Sequence, residues 1–284
     1  MNKTKIEWVK NPDGSQGYTF NPITGCLNNC PYCYARKLAN GRLKQRYLAN
    51  RNVAPLQEGW LHKGNGWEVD SRYDAPFYPR FWPEKVTEPL TKQSRWGSNR
   101  LVTHRQSAKG IFVCDMGELF GGWIPREWQE NIFWVIRNSP KHRFYLLTKQ
   151  PQNLIKFSPF PDNCWVGVTA ANASMAWIGS KWLQQVDAEV KYMSFEPLLD
   201  WSTSVKYTTE QIVKYLDWVI IGAQTKPYKP PEISWVEEIV KAADKAGIPV
   251  FLKNNLRDLL VPDALMDDVF WESDKAKLRQ EMPG

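Results

Sequence analysis

The chain is poor in the residues that build most metal and disulfide sites. It has three histidines (His62, His104 and His142), which show no ligand spacing. A histidine-based metal centre is therefore not legible in it. No run approaches the ~18 consecutive apolar residues of a membrane span. The opening MNKTKIEWVK carries no apolar segment of the signal-peptide kind. Repeats of solenoid period and low-complexity tracts are also missing. Cysteine is scarce, five in 284 residues, too few for a disulfide scaffold. Without a secretory signal these cysteines point to a reducing compartment, so the expected location is the cytoplasm, with no membrane partner.

Apolar residues make up 43% of the chain, enough for a sizeable core. The net charge of +7 is unevenly spread. Residues 34–109 hold 15 Lys/Arg against 6 Asp/Glu, an excess of +9, whereas the rest of the chain is close to balanced. A localised basic segment is the footprint expected for a polyanion. The same segment holds Trp60, Trp67, Trp82 and Trp96 with Tyr73, Phe77, Tyr78 and Phe81. Aromatics among arginines can stack bases, or they can pack against their own domain. A nucleic acid or nucleotide substrate is one expectation; a solvated basic surface is the other.

Short apolar, β-branched or aromatic runs alternate with helical patterns, which reads as βα units around a parallel sheet. The predicted strands are 18–24, 110–114, 143–148, 165–169, 191–195, 218–222 and 249–252. The predicted helices cover 34–47, 125–137, 172–185, 209–216 and 234–246. Proline opens the second helix, Asn172 caps the third, and Gly247 stops the last. Residues 51–109 show no sustained period and read as an insertion, a lid or substrate platform within one domain spanning 1–284. The tail after Val261 reads as partly helical. The fold class is α/β, a partial or distorted (β/α) barrel of about six to seven parallel strands. In such barrels the site lies at the C-terminal strand ends. That rule selects Cys26–Cys33, Asp115–Glu118, Thr148–Lys149, Thr169, Asn172, Ser194, Glu196, Gln224 and Lys253–Asn255.

The most informative stretch is Cys26-Leu-Asn-Asn-Cys30-Pro-Tyr-Cys33. Three thiolates are one short of a closed tetrahedral zinc site, and they suit a [4Fe–4S] cluster with one iron left open. The CxxxCxxC spacing, with Tyr32 before the third cysteine, resembles the signature of the radical S-adenosylmethionine (SAM) superfamily. That resemblance implies metal ligation by Cys26, Cys30 and Cys33, with Tyr32 lining the SAM adenine. The superfamily's Gly-Gly-Glu turn after the second strand is matched here by Asp115-Met116-Gly117-Glu118. Met116 replaces the first glycine, while Gly117 and Glu118 would bind the SAM amino group. Asn172, Glu196 and Gln224 stand at later strand ends, where the superfamily holds the ribose and methionine moieties. Reduction of the cluster implies a reductase or other electron donor.

TKIEW, NPITGC, CPYCYARKLA, FVCDMGELF, LLTKQP, WVGVTAAN, SFEPLL and DWVIIGA, in that order, resemble the phage and bacterial three-Cys-motif family of radical SAM proteins. The likeness spans about residues 3–255, apart from the insertion, and implies a dedicated three-Cys-motif partner protein. Where that family reads Gly-Gly-Glu-Ser after the sixth strand, this chain reads Gly222-Ala-Gln-Thr225. The departure puts a carboxylate at that strand end in doubt.

The leading reading is thus a radical SAM enzyme acting on a nucleic acid or nucleotide. Two alternatives stand beside it. One is the same chemistry on a peptide or small metabolite. The other is a non-catalytic zinc nucleic-acid-binding module, its fourth ligand being His62 or Cys114. Cys164 opens its strand and reads as a buried small hydrophobe. Cys114 could return a hydrogen atom to a substrate radical, as a cysteine does in the radical SAM spore photoproduct lyases, or be a buried structural thiol.

Overall fold

The computed structural model describes residues 1–90, 107–202, 207–260, 267–272 and 277–284. Trp96, His104 and the rest of residues 91–106 of the insertion lie outside the described residues, as does the tail segment 261–266. Among the described residues the architecture is mixed α/β, with seven α-helices and a large, mostly parallel sheet of eight strands. In chain order the sheet strands are β1 (Asn2–Lys3), β2 (Tyr18–Phe20), β3 (Gly110–Val113) and β4 (Arg143–Thr148). They continue as β5 (Cys164–Thr169), β6 (Val190–Phe195), β7 (Trp218–Ile221) and β8 (Val250–Leu252). Their order in the sheet is their order in the chain. β1 is the antiparallel edge on β2.

The chain divides into two compact units, Met1–Asn29 with Ala35–Tyr145, and Cys30–Tyr34 with Leu146–Gly284. In the first unit β2 pairs in parallel with β3, and β3 with β4. Trp8 is buried beside Phe112 and Tyr145, at ring distances of 5.0 and 5.7 Å. The strand expected over 18–24 breaks after Phe20 because Pro22 lacks the N–H a ladder requires. Ile23–Thr24 instead pairs antiparallel with Arg80–Phe81 of the insertion. The helix expected over 34–47 is two helices, α1 (Tyr34–Asn40) and α2 (Lys44–Ala49). Gly41, a poor helix former, lies at the junction. Arg126–Arg137 (α3) buries Ile132, Phe133, Val135 and Ile136.

The insertion has structure of its own. Leu61–Gly64 and Trp67–Asp70 form a hairpin. Arg80 is wholly buried and donates to the carbonyls of Asn50, Arg72, Tyr73 and Ala75 at 2.5–3.3 Å. One guanidinium thereby gathers loops that have no periodic pattern to organise them. Phe77, Tyr78, Phe81 and Trp82 are buried, and Trp82 Nε1 donates to Thr24 Oγ1 at 2.8 Å. These four pack within their own unit. Trp60 and Tyr73 are half-buried, and Trp67 is 79% exposed.

In the second unit β5, β6, β7 and β8 pair in parallel in succession. All six residues of β5 and all four of β7 are buried, as expected of a sheet covered on both faces. Trp218 is the centre of an aromatic cluster with Trp165, Tyr192 and Phe251. The covering helices include α4 (Ala173–Leu183), α5 (Thr209–Val213) and α6 (Ile233–Lys245). Asn172 caps α4, Thr208 closes a capping box on α5, and Gly247 follows α6 with φ +68°. The short α7 (Asp267–Phe270) lies in the tail.

Candidate functional site

In the first unit the loop after β2 and the turn after β3 are built as one piece. Asn21 joins them: its Nδ2 donates to Asp115 and its Oδ1 accepts from Met116 N at 3.0 Å. Gly25 N donates to Met116 O at 2.9 Å, and Gly25 bridges Gly117 in parallel. Gly25 has φ +87°, and a Cβ on it would meet Tyr78 O at 2.5 Å, so only glycine fits. The chain can therefore turn from the strand end straight into the cysteine loop.

Glu118 is buried, and its carboxylate accepts from Phe120 N at 3.1 Å and from Asn28 Nδ2 at 3.2 Å. Asn28 lies inside the cysteine motif, so the Gly117-Glu118 turn is hydrogen-bonded to the motif itself. Asn28 N also donates to Cys26 Sγ at 3.3 Å. Sequence reading passed over Asn28; its one signal is a small polar residue between two motif cysteines.

Cys114 precedes this turn with φ +60°, a backbone region that non-glycine residues seldom occupy. Its N donates to Phe20 O and its carbonyl accepts from Gly117 N. Burial pushes its thiol well above the ordinary range, so it stays a protonated S–H. His62 sits in the insertion hairpin, and Cys164 is fully buried at the start of β5.

The remaining motif residues belong to the second unit. Cys33 N donates to Cys30 O at 3.3 Å, closing a tight turn. The Tyr32 hydroxyl hydrogen-bonds Cys30, and burial together with the Cys30 and Cys33 sulfurs drives the phenol well above its usual range. Lys149, at the end of β4, holds its ammonium 5.9 Å from the Tyr32 ring centroid. Cys26, Cys30 and Cys33 are half-buried, and none of the five cysteines is in a disulfide. Among the described residues no group of three or more His, Cys, Asp or Glu is placed to hold a single metal ion.

Three strand ends of the second unit converge. Glu196, after β6, forms an ion pair with Lys253, after β8. Gly222, after β7, lies against both: a Cβ there would stand 2.9 Å from Lys253 Cδ and 3.4 Å from Glu196 Cγ. Asn255 closes the group by exchanging hydrogen bonds with Ala223 N and O at 3.1 and 2.9 Å. Asn172 directs its side-chain oxygen to Met175 N at 2.9 Å as the α4 cap. Gln224 lies in the small Gln224–Thr225/Tyr228–Lys229 hairpin and donates to Pro227 O at 2.9 Å. The structure thus joins Gly117 and Glu118 to the Cys26 end of the motif, Tyr32 to Cys30, and Glu196 to Lys253. Asn172 and Gln224 have local structural contacts instead.

A cavity of about 510 Å³ opens on the first unit beside Cys26, bounded by Asn29, Arg36, Trp60, Phe77 and Tyr78 among others. No helix among the described residues is long and apolar enough to cross a membrane. A family model described as a protein of unknown function (DUF5131) matches residues 3–257. No curated protein and no solved structure matches the chain.

Proposed function

The chain belongs to the DUF5131 family, and we propose that it is a radical SAM enzyme that holds a [4Fe–4S] cluster on Cys26, Cys30 and Cys33. The observation that carries this reading is the union of the cysteine loop with the Gly117-Glu118 turn through Gly25 and Asn28. A structural zinc loop would not require a buried carboxylate from the next strand end. The donor set fits the cluster: three half-buried thiols outside any disulfide, within eight residues. Each thiolate of such a cluster binds its own iron, so the three need not meet at one point. Held by Cys26, Cys30 and Cys33, such a cluster would supply the electron for reductive cleavage of SAM.

The chain's own residues would orient and protect. Glu118, fixed by Phe120 N and Asn28, offers a carboxylate to the SAM ammonium. Gly117 lets the backbone come close, since a Cβ there would press on Ile23 O at 3.0 Å. Tyr32 stays a phenol and hydrogen-bonds Cys30, moderating charge on the thiolate. Asn172, Glu196 and Gln224 remain the candidates for ribose and methionine, with Glu196 already paired to Lys253. Cys114 is a protonated thiol below the Gly117 turn, suited to hydrogen-atom return.

The uninterrupted strand order supports a partial (β/α) barrel, because a doubly wound sheet reverses its order at a switch point. The proposed location is the cytoplasm, in keeping with five cysteines as thiols. A reductase and a three-Cys-motif partner protein are the proposed partners. Because Phe77, Tyr78, Phe81 and Trp82 pack inward, the insertion favours a substrate of nucleotide size over a long stacked strand.

The test is anaerobic reconstitution with iron and sulfide, reduction, addition of SAM, and assay for 5′-deoxyadenosine. Product that disappears in Cys30→Ala supports the reading. A colourless protein with one zinc and no SAM cleavage overturns it in favour of a zinc-binding module.

A further inference from the structure

We propose that the cavity beside Cys26 is a nucleotide pocket that takes a base on its aromatic wall and a phosphate on Arg36. Its volume, about 510 Å³, falls within the range of small-molecule sites. Trp60 stands edge-on to Tyr78, with ring centroids 4.7 Å apart, while Phe77 and Tyr78 are buried. The aromatic wall therefore meets a planar base through the half-buried Trp60, with Phe77 and Tyr78 packed behind it. Contacts to Phe77 and Asn29 help to hold Arg36 at the rim. Its guanidinium lies 5.6 Å from the Phe77 centroid, and its Nη1 donates to Asn29 Oδ1. A guanidinium carries five donors in a plane, so a fixed one can still grip a phosphate in a forked manner.

Charge narrows the choice of ligand. The described lining contains Arg36 and no acidic side chain. A sulfonium cation such as SAM is disfavoured there, and an anion is favoured. An acidic peptide would satisfy Arg36 but leave the aromatic wall without a planar partner. Asn29 and Asn40 add amide donors and acceptors that can read a base edge. Because Cys26 lines the same cavity, a ligand seated there abuts the proposed cofactor residue. Its role as substrate site rests on the radical SAM reading; the binding itself does not.

Titration calorimetry on the full chain without reconstitution tests the pocket. The probes are 5′-AMP, 5′-UMP, a 5′-phosphorylated hexanucleotide, and adenosine as the ligand lacking phosphate. The expected result is binding of the phosphorylated probes, at least tenfold weaker binding of adenosine, and a tenfold or greater loss in Arg36→Gln and in Trp60→Leu. A hexanucleotide that binds more tightly than the mononucleotides assigns the pocket to a strand end; equal affinities assign it to free nucleotide. No binding of any phosphorylated probe, or binding untouched by Arg36→Gln, overturns the proposal. Should Trp60→Leu fail to fold, Arg36→Gln and the adenosine comparison still decide. Nucleotide binding by a wild-type protein that cleaves no SAM after reconstitution and reduction would sink the cofactor reading and leave the pocket standing.

Discussion

The amide of Asn28 donates to the carboxylate of Glu118 at 3.2 Å, across 90 residues of chain. It ties the inside of the cysteine loop to the turn after the second parallel strand. Hydrogen bonds to charged groups contribute about 1.5–3 kcal/mol. Asn28→Ala is therefore expected to lower stability by about 1–2 kcal/mol and to weaken SAM binding. Glu118→Ala removes the acceptor for both Asn28 and Phe120 N and should be the more damaging. Thermal unfolding and equilibrium dialysis with SAM check this; an Asn28→Ala protein equal to wild type in both would contradict it.

His142 is a buried base. Its Nδ1 accepts from Lys109 N at 3.2 Å. Burial, with Lys141 and Lys109 nearby, lowers its pKa from 6.5 to about 4. The unfolded chain thus binds a proton that the folded chain refuses between pH 6.5 and 4. Stability is retained above pH 6.5 and falls as the pH drops toward 4, with a slope approaching about 1.4 kcal/mol per pH unit from this group. Urea unfolding from pH 7 to 4 should show that fall, and His142→Gln should flatten it. An unchanged slope in the variant would remove His142 as the cause.

Arg80 should be hard to replace. Its guanidinium serves four backbone carbonyls with no exposure to solvent. Arg80→Met leaves those acceptors buried and unsatisfied, a loss of about 3 kcal/mol or more. Lysine offers one donor point in place of a plane, so Arg80→Lys should fall between. The shift in urea midpoint measures both, and a change below about 0.5 kcal/mol for Met would refute the hub.

Glu196 and Lys253 form an ion pair only partly shielded from water, with 27% and 12% side-chain exposure. A double-mutant cycle with Glu196→Gln and Lys253→Met is expected to give a coupling energy of about 1 kcal/mol. Gly222→Ala should reduce that coupling, because its methyl would push on Lys253 Cδ. A coupling near zero in the parent would show the pair to be incidental.

Much of the fold could be read locally. β4 covers the expected 143–148 around its apolar run, and the ends of α4 and α6 follow Asn172 and Gly247. These signals act within a few residues, through hydrophobic periodicity, capping and glycine's backbone freedom. The insertion resisted the same treatment because its order comes from Arg80 and from pairing with Ile23–Thr24, contacts that leave no period behind.

The cysteine motif, the alternation of strands and helices, and the basic, aromatic character of residues 34–109 are all written in the order of residues. Spacing and composition suffice for those. Which aromatics face inward, the meeting of Asn28 with Glu118, and the pairing of Glu196 with Lys253 emerge in the folded chain. Those pairings join residues 57 to 90 positions apart. They depend on strand ends brought side by side in the sheet, which no local pattern encodes.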